Sequence, residues 1–438
     1  MDTGESEARL EALDCNRQAA LLIRAGNPEQ AREKLEQALN LDPMTPDTYQ
    51  TFGELCMAQG QYEEAKAYYR KGLLLEGRGE FYFHLGSACF LTDDPHEGLK
   101  NYQLAISAGF DGDDMMYFMG IAYEHLDDDE MALRYFRKAI AKNPSKPDYQ
   151  VKAILALIRL DSLERAEAMT DELLRTAPEL FDGYHLKTQL LLRRGSSREA
   201  RDFAERAAKR FPEDADLMFD YIKCLALNQE YEFALRELSR ARRMRYFSEA
   251  SQDFTFLEAQ IAAETQDYDR AMDCCRRCIA EETEGRFRAD ARFLLMNLAL
   301  FKRDYAETLR QAEALVAGRR EDNFYYAALY YRALSLRQTG QNAASEKAYR
   351  EANAFYRLRT LEKPDAVELY LYRAMCLKDM GDYGKALDML NLLLNIGADF
   401  AEVHMLKAEI YDASGQSAQS EAERERACQL KPALRPAE

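Results

Sequence analysis

Three thiols stand together at Cys274, Cys275 and Cys278, and Cys274 and Cys278 are spaced to share one face of a helix. Thiolates can close a tetrahedral zinc site, but a structural site needs four ligands, and no second cysteine pair or neighbouring histidine completes a set here. Cys275 and Cys278 also fall at recurring packing positions of the repeat described below, so buried thiols account for them. His84, His125 and His185 fall on one recurring face without a nucleophile or metal set beside them. Asp127, Asp128, Asp129 and Glu130 form an acidic run, but no glycine stands where a calcium loop needs its sharp turn. A solvated turn that caps the next helix is expected there. There is no glycine-rich phosphate cradle and no nucleophile elbow. The expectation is binding without catalysis: no catalytic residue, no metal and no cofactor.

A repeat must position these residues. Ala31, Ala65, Gly98, Ala132, Ala166, Ala200, Ala234, Ala271, Thr308, Ser345, Ala386 and Ser420 recur at spacings of 34, 33, 34, 34, 34, 34, 37, 37, 37, 41 and 34 residues. A period of this size marks a stacked array of short units. With these residues counted as position 20, units start near residues 12, 46, 79, 113, 147, 181, 215, 252, 289, 326, 367 and 401. The fourth unit shows two helical stretches with apolar residues at i, i+3, i+4 and i+7. Position 8 is small at Ala19, Gly53, Gly86 and Gly120 among others, where two helices must approach closely. It is bulky at Ile154, Thr188, Ile222 and Met296, which predicts slightly wider helix pairs there. Gly26, Gly60, Gly195, Gly340, Gly381 and Gly415 mark the turn inside a unit, and Pro43, Pro144, Pro178, Pro212 and Pro432 follow its second helix. Units seven to ten are stretched by three or more residues, close to a helical turn, which predicts longer second helices.

The motifs LGSACF (Leu85–Phe90), MGIAYE (Met119–Glu124), GQYEEAKAYYRKGL (Gly60–Leu73) and GDYGKALDML (Gly381–Leu390) resemble the tetratricopeptide repeat family, and the register covers residues 12–432. The resemblance implies an all-α fold, an α-solenoid of about twelve helix-turn-helix hairpins wound as a right-handed superhelix. The expected organisation is a short N-terminal segment over 1–11 and units one to seven over 12–246. Lengthened units, with a final cap, fill 247–432, and a tail covers 433–438. Tryptophan is absent, and Tyr49, Tyr82, Met116, Tyr184 and Tyr370 take position 4 in its place. Members of the family hold extended peptides or protein helices in a concave groove lined by the first helix of each unit. The implied role is a protein- or peptide-binding scaffold or adaptor, with a protein segment as partner.

Carried onto this chain, the groove positions hold Phe83, His84, Tyr117, Phe118, Ile121, Phe219, Phe256, Phe293, Tyr330, Tyr331 and Tyr372. Such an aromatic stripe suits an apolar peptide or amphipathic helix, and the same rings could instead pack unit against unit. Position 2 is acidic in ten units, from Asp47 to Glu402. It forms either an edge that selects basic peptides or a set of acids that complement helix N-termini. Arg243, Arg245, Arg286, Arg319 and Arg320 fall at second-helix ends of the lengthened units. They make a basic rim for an acidic or phosphorylated partner, or surface charge favoured by the helix dipole. The lysine–asparagine clamp for chaperone tails is absent, since Asn16, Ala20 and Thr51 stand at those positions.

The net charge of −17 opposes binding to nucleic acid or to an anionic membrane. No basic-then-apolar leader and no long apolar run is visible, so a cytoplasmic protein without membrane insertion is expected. Nine scattered cysteines read as reduced thiols. A monomer or a lateral dimer is expected, because the polar last helix looks like a cap. A peptide-sensing regulator that tightens on its ligand is the alternative, although only eleven residues precede the first unit. An enzyme hidden in the array is disfavoured because the repeat register leaves no room for one.

Overall fold

The computed structural model describes residues 3–244, 247–280, 287–318 and 323–434, and no strand occurs among them. Abundant alanine, leucine, glutamate and arginine in amphipathic stripes favour helix, and the described residues form twenty-four α-helices in succession. Two compact units divide it, Met1–Cys224 and Leu225–Glu438.

The first unit begins with α1 (Thr3–Arg24), α2 (Pro28–Leu41), α3 (Pro46–Ala58), α4 (Tyr62–Leu75), α5 (Gly79–Leu91) and α6 (Pro95–Ser107). It continues with α7 (Asp113–His125), α8 (Asp129–Lys142), α9 (Pro147–Arg159), α10 (Leu163–Thr176), α11 (Phe181–Arg193) and α12 (Ser197–Arg210). Helix α13 (Ala215–Leu227) contains the division point. The second unit holds α14 (Tyr231–Ala241), α15 (Phe247–Glu264), α16 (Tyr268–Ala280), α17 (Arg288–Phe301), α18 (Tyr305–Ala317) and α19 (Asn323–Gln338). It ends with α20 (Asn342–Glu362), α21 (Val367–Asp379), α22 (Tyr383–Asn395), α23 (Ala401–Ala413) and α24 (Ser417–Leu430).

The two helices of each repeat are joined by a three-residue turn, such as 59–61 between α3 and α4. So short a link makes neighbouring packed helices antiparallel. The middle residue of all twelve turns has positive φ: the six glycines above, and also Asp93, Asp127, Asp161, Gln229, Gln266 and Arg303. A left-handed residue there ends the helix and turns its last carbonyls onto following amides, as in Asp94 N–H to Cys89 O at 2.9 Å and Asp128 N–H to Tyr123 O at 3.0 Å. The next residue can restart the chain as an N-cap. Asp94, Asp128, Asp304 and Asp382 accept from the amides of Glu97, Met131, Glu307 and Lys385.

Position 8 is where helix crosses helix. A Cβ added at Gly53 would stand 2.2 Å from the Tyr69 ring, at Gly86 2.6 Å from Tyr102, and at Gly120 2.4 Å from Phe136. In the same register Ile154 is matched by Thr170, Thr188 by Ala204 and Met296 by Ala312, all fully buried. Met296 and Ala312 share one core cluster. At these three crossings the bulky residue has a small counterpart in the register, so volume moves from one helix to the other.

Among the described residues the expectation of longer second helices holds for α20, with 21 residues. Helix α14 has 11 residues, and α16 and α18 have 13 each. The first helices α15 and α19 have 18 and 16 residues, and residues 281–286 and 319–322 of the lengthened junctions lie outside the described residues. Residues 3–11, set apart by the sequence as a lead-in, belong to α1, because Glu5, Glu7, Ala8, Arg9 and Leu10 are strong helix formers. Among the described residues no helix is long and apolar enough to cross a membrane.

Candidate protein-binding face

First helices carry positions 5 and 6 on a common face, and in α5 and α7 that face is aromatic. Phe83 is half-buried, and its ring lies 5.1 Å from Phe118 of the next repeat, 5.2 Å from Phe110 and 5.2 Å from His84. His84 stacks on Tyr69 at 5.3 Å. Burial holds its imidazole below the ordinary value, against the pull of Glu54 and Glu80, so it favours the neutral form. Tyr117 continues the chain of rings to Tyr149 of the following repeat at 5.0 Å. Phe83, Tyr117, Phe118, Ile121 and Phe219 are all half-buried. The rings therefore pack unit on unit, and part of their surface stays open.

In the second compact unit the stripe is uneven. Tyr331 and Tyr372 are half-buried, with centroids 6.5 Å apart. Phe293 is half-buried and stacks on Phe324 at 4.5 Å. Phe256 and Tyr330 are only 6% and 4% exposed, so these two groove candidates are core residues. Tyr330 donates its hydroxyl to Asp379 at 2.8 Å, and Tyr349 donates to the same oxygen at 2.9 Å. A buried hydroxyl with such a partner is satisfied and needs no ligand.

The acidic position 2 behaves in two ways. Asp47 pairs with Arg78 at 2.5 Å, Asp114 with Lys146 at 2.7 Å, and Glu402 with Lys431 at 3.1 Å. Each of these cations comes from the end of the same repeat. Asp148, Asp182 and Asp216 have no lysine or arginine partner among the described residues. Burial raises the Asp182 carboxyl above its ordinary value, with His185 opposing and the charges of Asp148, Asp214 and Asp216 adding to the rise. His185 lies 2.5 Å from Asp220, which is 5% exposed. Burial opposes protonation of this imidazole, but the bond to Asp220 and the surrounding acids hold its value above the ordinary one.

The other candidates resolve as follows. Arg243 is exposed, and Arg245, Arg286, Arg319 and Arg320 lie outside the described residues. Cys274, Cys275 and Cys278 are buried thiols, and burial pushes Cys275 up to about 12. Among the described residues no group of three or more histidine, cysteine, aspartate or glutamate side chains is placed to hold a metal. The acidic run at 127–130 is a turn: Asp127 takes positive φ and Asp128 caps α8. The unpaired state of Asp148, Asp182 and Asp216 escapes a sequence reading, because whether a repeat supplies a cation depends on where its second helix ends.

Family models described as tetratricopeptide repeat match residues 22–78 and 343–410, 187–243, and 116–148. No curated protein matches. Among solved structures, the chain is similar to one in the APC/C hetero-tetramer Cut9-Hcn1, with 15% identity, 99% of this chain and 94% of that one covered, and a TM-score of 0.43. It is also similar to a tetratricopeptide repeat protein from Parabacteroides merdae, at 16% identity, 66% and 99% coverage and a TM-score of 0.45. YrrB, described as a TPR protein with an unusual peptide-binding site, is 18% identical, with 42% and 95% coverage and a TM-score of 0.37.

Proposed function

Because the chain belongs to the tetratricopeptide repeat family, we propose that it is a protein-binding scaffold whose first helices hold an extended or helical segment of another protein. The observation that carries this reading is the run of half-buried rings on successive first helices, with Phe83 and Phe118 5.1 Å apart. Each ring keeps open surface that an apolar side chain can cover, and such burial contributes about 25 cal/mol per Å². Asp148, Asp182 and Asp216 have no lysine or arginine partner among the described residues, so a lysine or arginine on the partner relieves their mutual repulsion. The preferred segment therefore combines spaced apolar anchors with basic residues.

The chain contains no tryptophan, so the fluorescence of a tryptophan in a bound peptide is read without background. Peptides selected from a random displayed library against the whole chain should carry apolar residues spaced for a helix or an extended strand, together with lysine or arginine. Their affinity should fall as salt rises. Selected peptides that lack both features, or that bind with no salt dependence, would contradict the reading.

A further inference from the structure

Helix α15 buries a carboxylate, Glu258, at the repeat position that holds Phe52, Leu85, Met119 and Leu295 elsewhere, and only 2% of it is exposed. Three guanidinium groups converge on it from the end of α14 and from α16. Arg270 donates Nε at 3.0 Å and Nη2 at 2.7 Å to Oε1. Arg242 donates Nη2 to Oε2. Arg277 stands 3.6 Å from Oε2 and gives its hydrogen bond to the Cys274 Sγ at 2.9 Å. Burial, with the Glu258 charge adding to it, keeps Cys274 in its neutral thiol form.

One guanidinium balances this carboxylate in charge, and two already satisfy it in hydrogen bonds. The third is surplus, and the local sum of three cations and one anion is +2 in a chain whose net charge is −17. The carboxylate side chain is 3% exposed, whereas those of Arg242, Arg270 and Arg277 are 35%, 42% and 55% exposed. The acid therefore lies beneath and orients the guanidiniums, whose unused N–H groups reach solvent. Arg270 and Arg277 are seven residues apart on α16, which places them on one helix face.

We propose that Arg242, Arg270 and Arg277, held in place by Glu258, form a binding site for a phosphorylated serine or threonine side chain of a protein partner. A phosphoryl group carries about −1.5 to −2 charges and three acceptor oxygens, which matches the +2 surplus better than a single carboxylate does. A lipid phosphate is disfavoured, because the field of the strongly acidic chain repels an anionic surface as a whole. This site stands on different residues from the first-helix face, so either assignment can fail without the other.

The test uses the full chain and a fluorescein-labelled, glycine-flanked phosphoserine hexapeptide, with its serine counterpart and inorganic phosphate as controls. Fluorescence anisotropy should show saturable binding of the phosphopeptide and at least about tenfold weaker binding of the serine peptide. Arg277→Gln, at a side chain more than half exposed, should weaken phosphopeptide binding about tenfold with the fold intact by circular dichroism. Equal affinity for the two peptides, or wild-type affinity in Arg277→Gln, would overturn the assignment. Inorganic phosphate competing as strongly as the phosphopeptide would overturn the protein partner in favour of the free anion.

Discussion

The hairpins of α3–α8 and those of α9–α12 share a backbone plan and differ in how they fill and charge it. In the first set a glycine on one helix lies beneath a ring on the other, as with Gly120 and Phe136. In the second set the bulk changes sides, with Ile154 and Thr188 set against Thr170 and Ala204. The acids differ in parallel. Asp47 and Asp114 are paired inside their own repeats, whereas Asp148 and Asp182, and Glu80 in the first set, have no lysine or arginine partner among the described residues. Volume at these crossings is supplied by either helix, and the acid at position 2 is paired within its own repeat in some units and not in others.

Substitutions at the crossing should break the comparison most strongly. Ile154→Ala opens a cavity against an already small Thr170 and should cost about 3 kcal/mol, measured as a fall in the urea midpoint and faster amide exchange in α9 and α10. Gly120→Ala drives a methyl group into the Phe136 ring and should cost about 2 kcal/mol by the same measurements. Adding Phe136→Ala to Gly120→Ala should cost clearly less than the two separate losses combined, because the ring that clashes has gone. Strict additivity would show that the two positions do not share one volume.

The turns give a smaller effect of opposite sign. Asp161 sits at φ 53° where α3 and α4 use Gly60 at φ 72°. Asp161→Gly should stabilise the α9–α10 hairpin by about 0.5–1 kcal/mol, read from amide exchange, and a loss of stability would remove strain as the explanation.

The acids give the smallest effect, and its sign separates the two regions. Hydrogen bonds from Lys146 and Tyr149 hold Asp114 below its ordinary value, so its stabilisation is present above that value and is lost as pH falls through the folded one. Asp182 is raised, so its contribution is fullest at low pH and is lost as pH rises through its folded value. At pH 7, Asp114→Asn should destabilise and Asp182→Asn should stabilise, each by a few tenths of a kcal/mol after solvent screening. Urea midpoints at pH 7 and pH 4 check both signs, and the Asp182→Asn gain should shrink at the lower pH.

Much of the fold was legible because packing repeats at fixed intervals. The small residues from Ala31 to Ser420 place the register, and α3, α5, α7, α9, α11, α13, α21 and α23 begin at the residues that the register assigns. Helix ends that no partner dictates were not legible. Helices α1 and α15 run on toward the N-terminus through residues such as Glu5–Leu10 and 247–251, where no glycine or proline stops them. Six turns announced themselves by glycine, and six others take the same backbone with Asp, Gln or Arg, whose identity does not signal a left-handed residue. At the face, residue types were readable from sequence. The burial of Phe256 and Tyr330, the missing cations at Asp148 and Asp182, and the arginines around Glu258 depend on neighbours from other helices.

The central claim, that open ring surface on successive first helices holds a protein segment, is tested most directly by the affinity of a library-selected, tryptophan-bearing peptide for wild type and for the Phe83→Ala, Phe118→Ala double variant. With the helical signal of the variant unchanged by circular dichroism, binding should weaken at least about tenfold, or about 1.4 kcal/mol. Equal affinity for both proteins would contradict it.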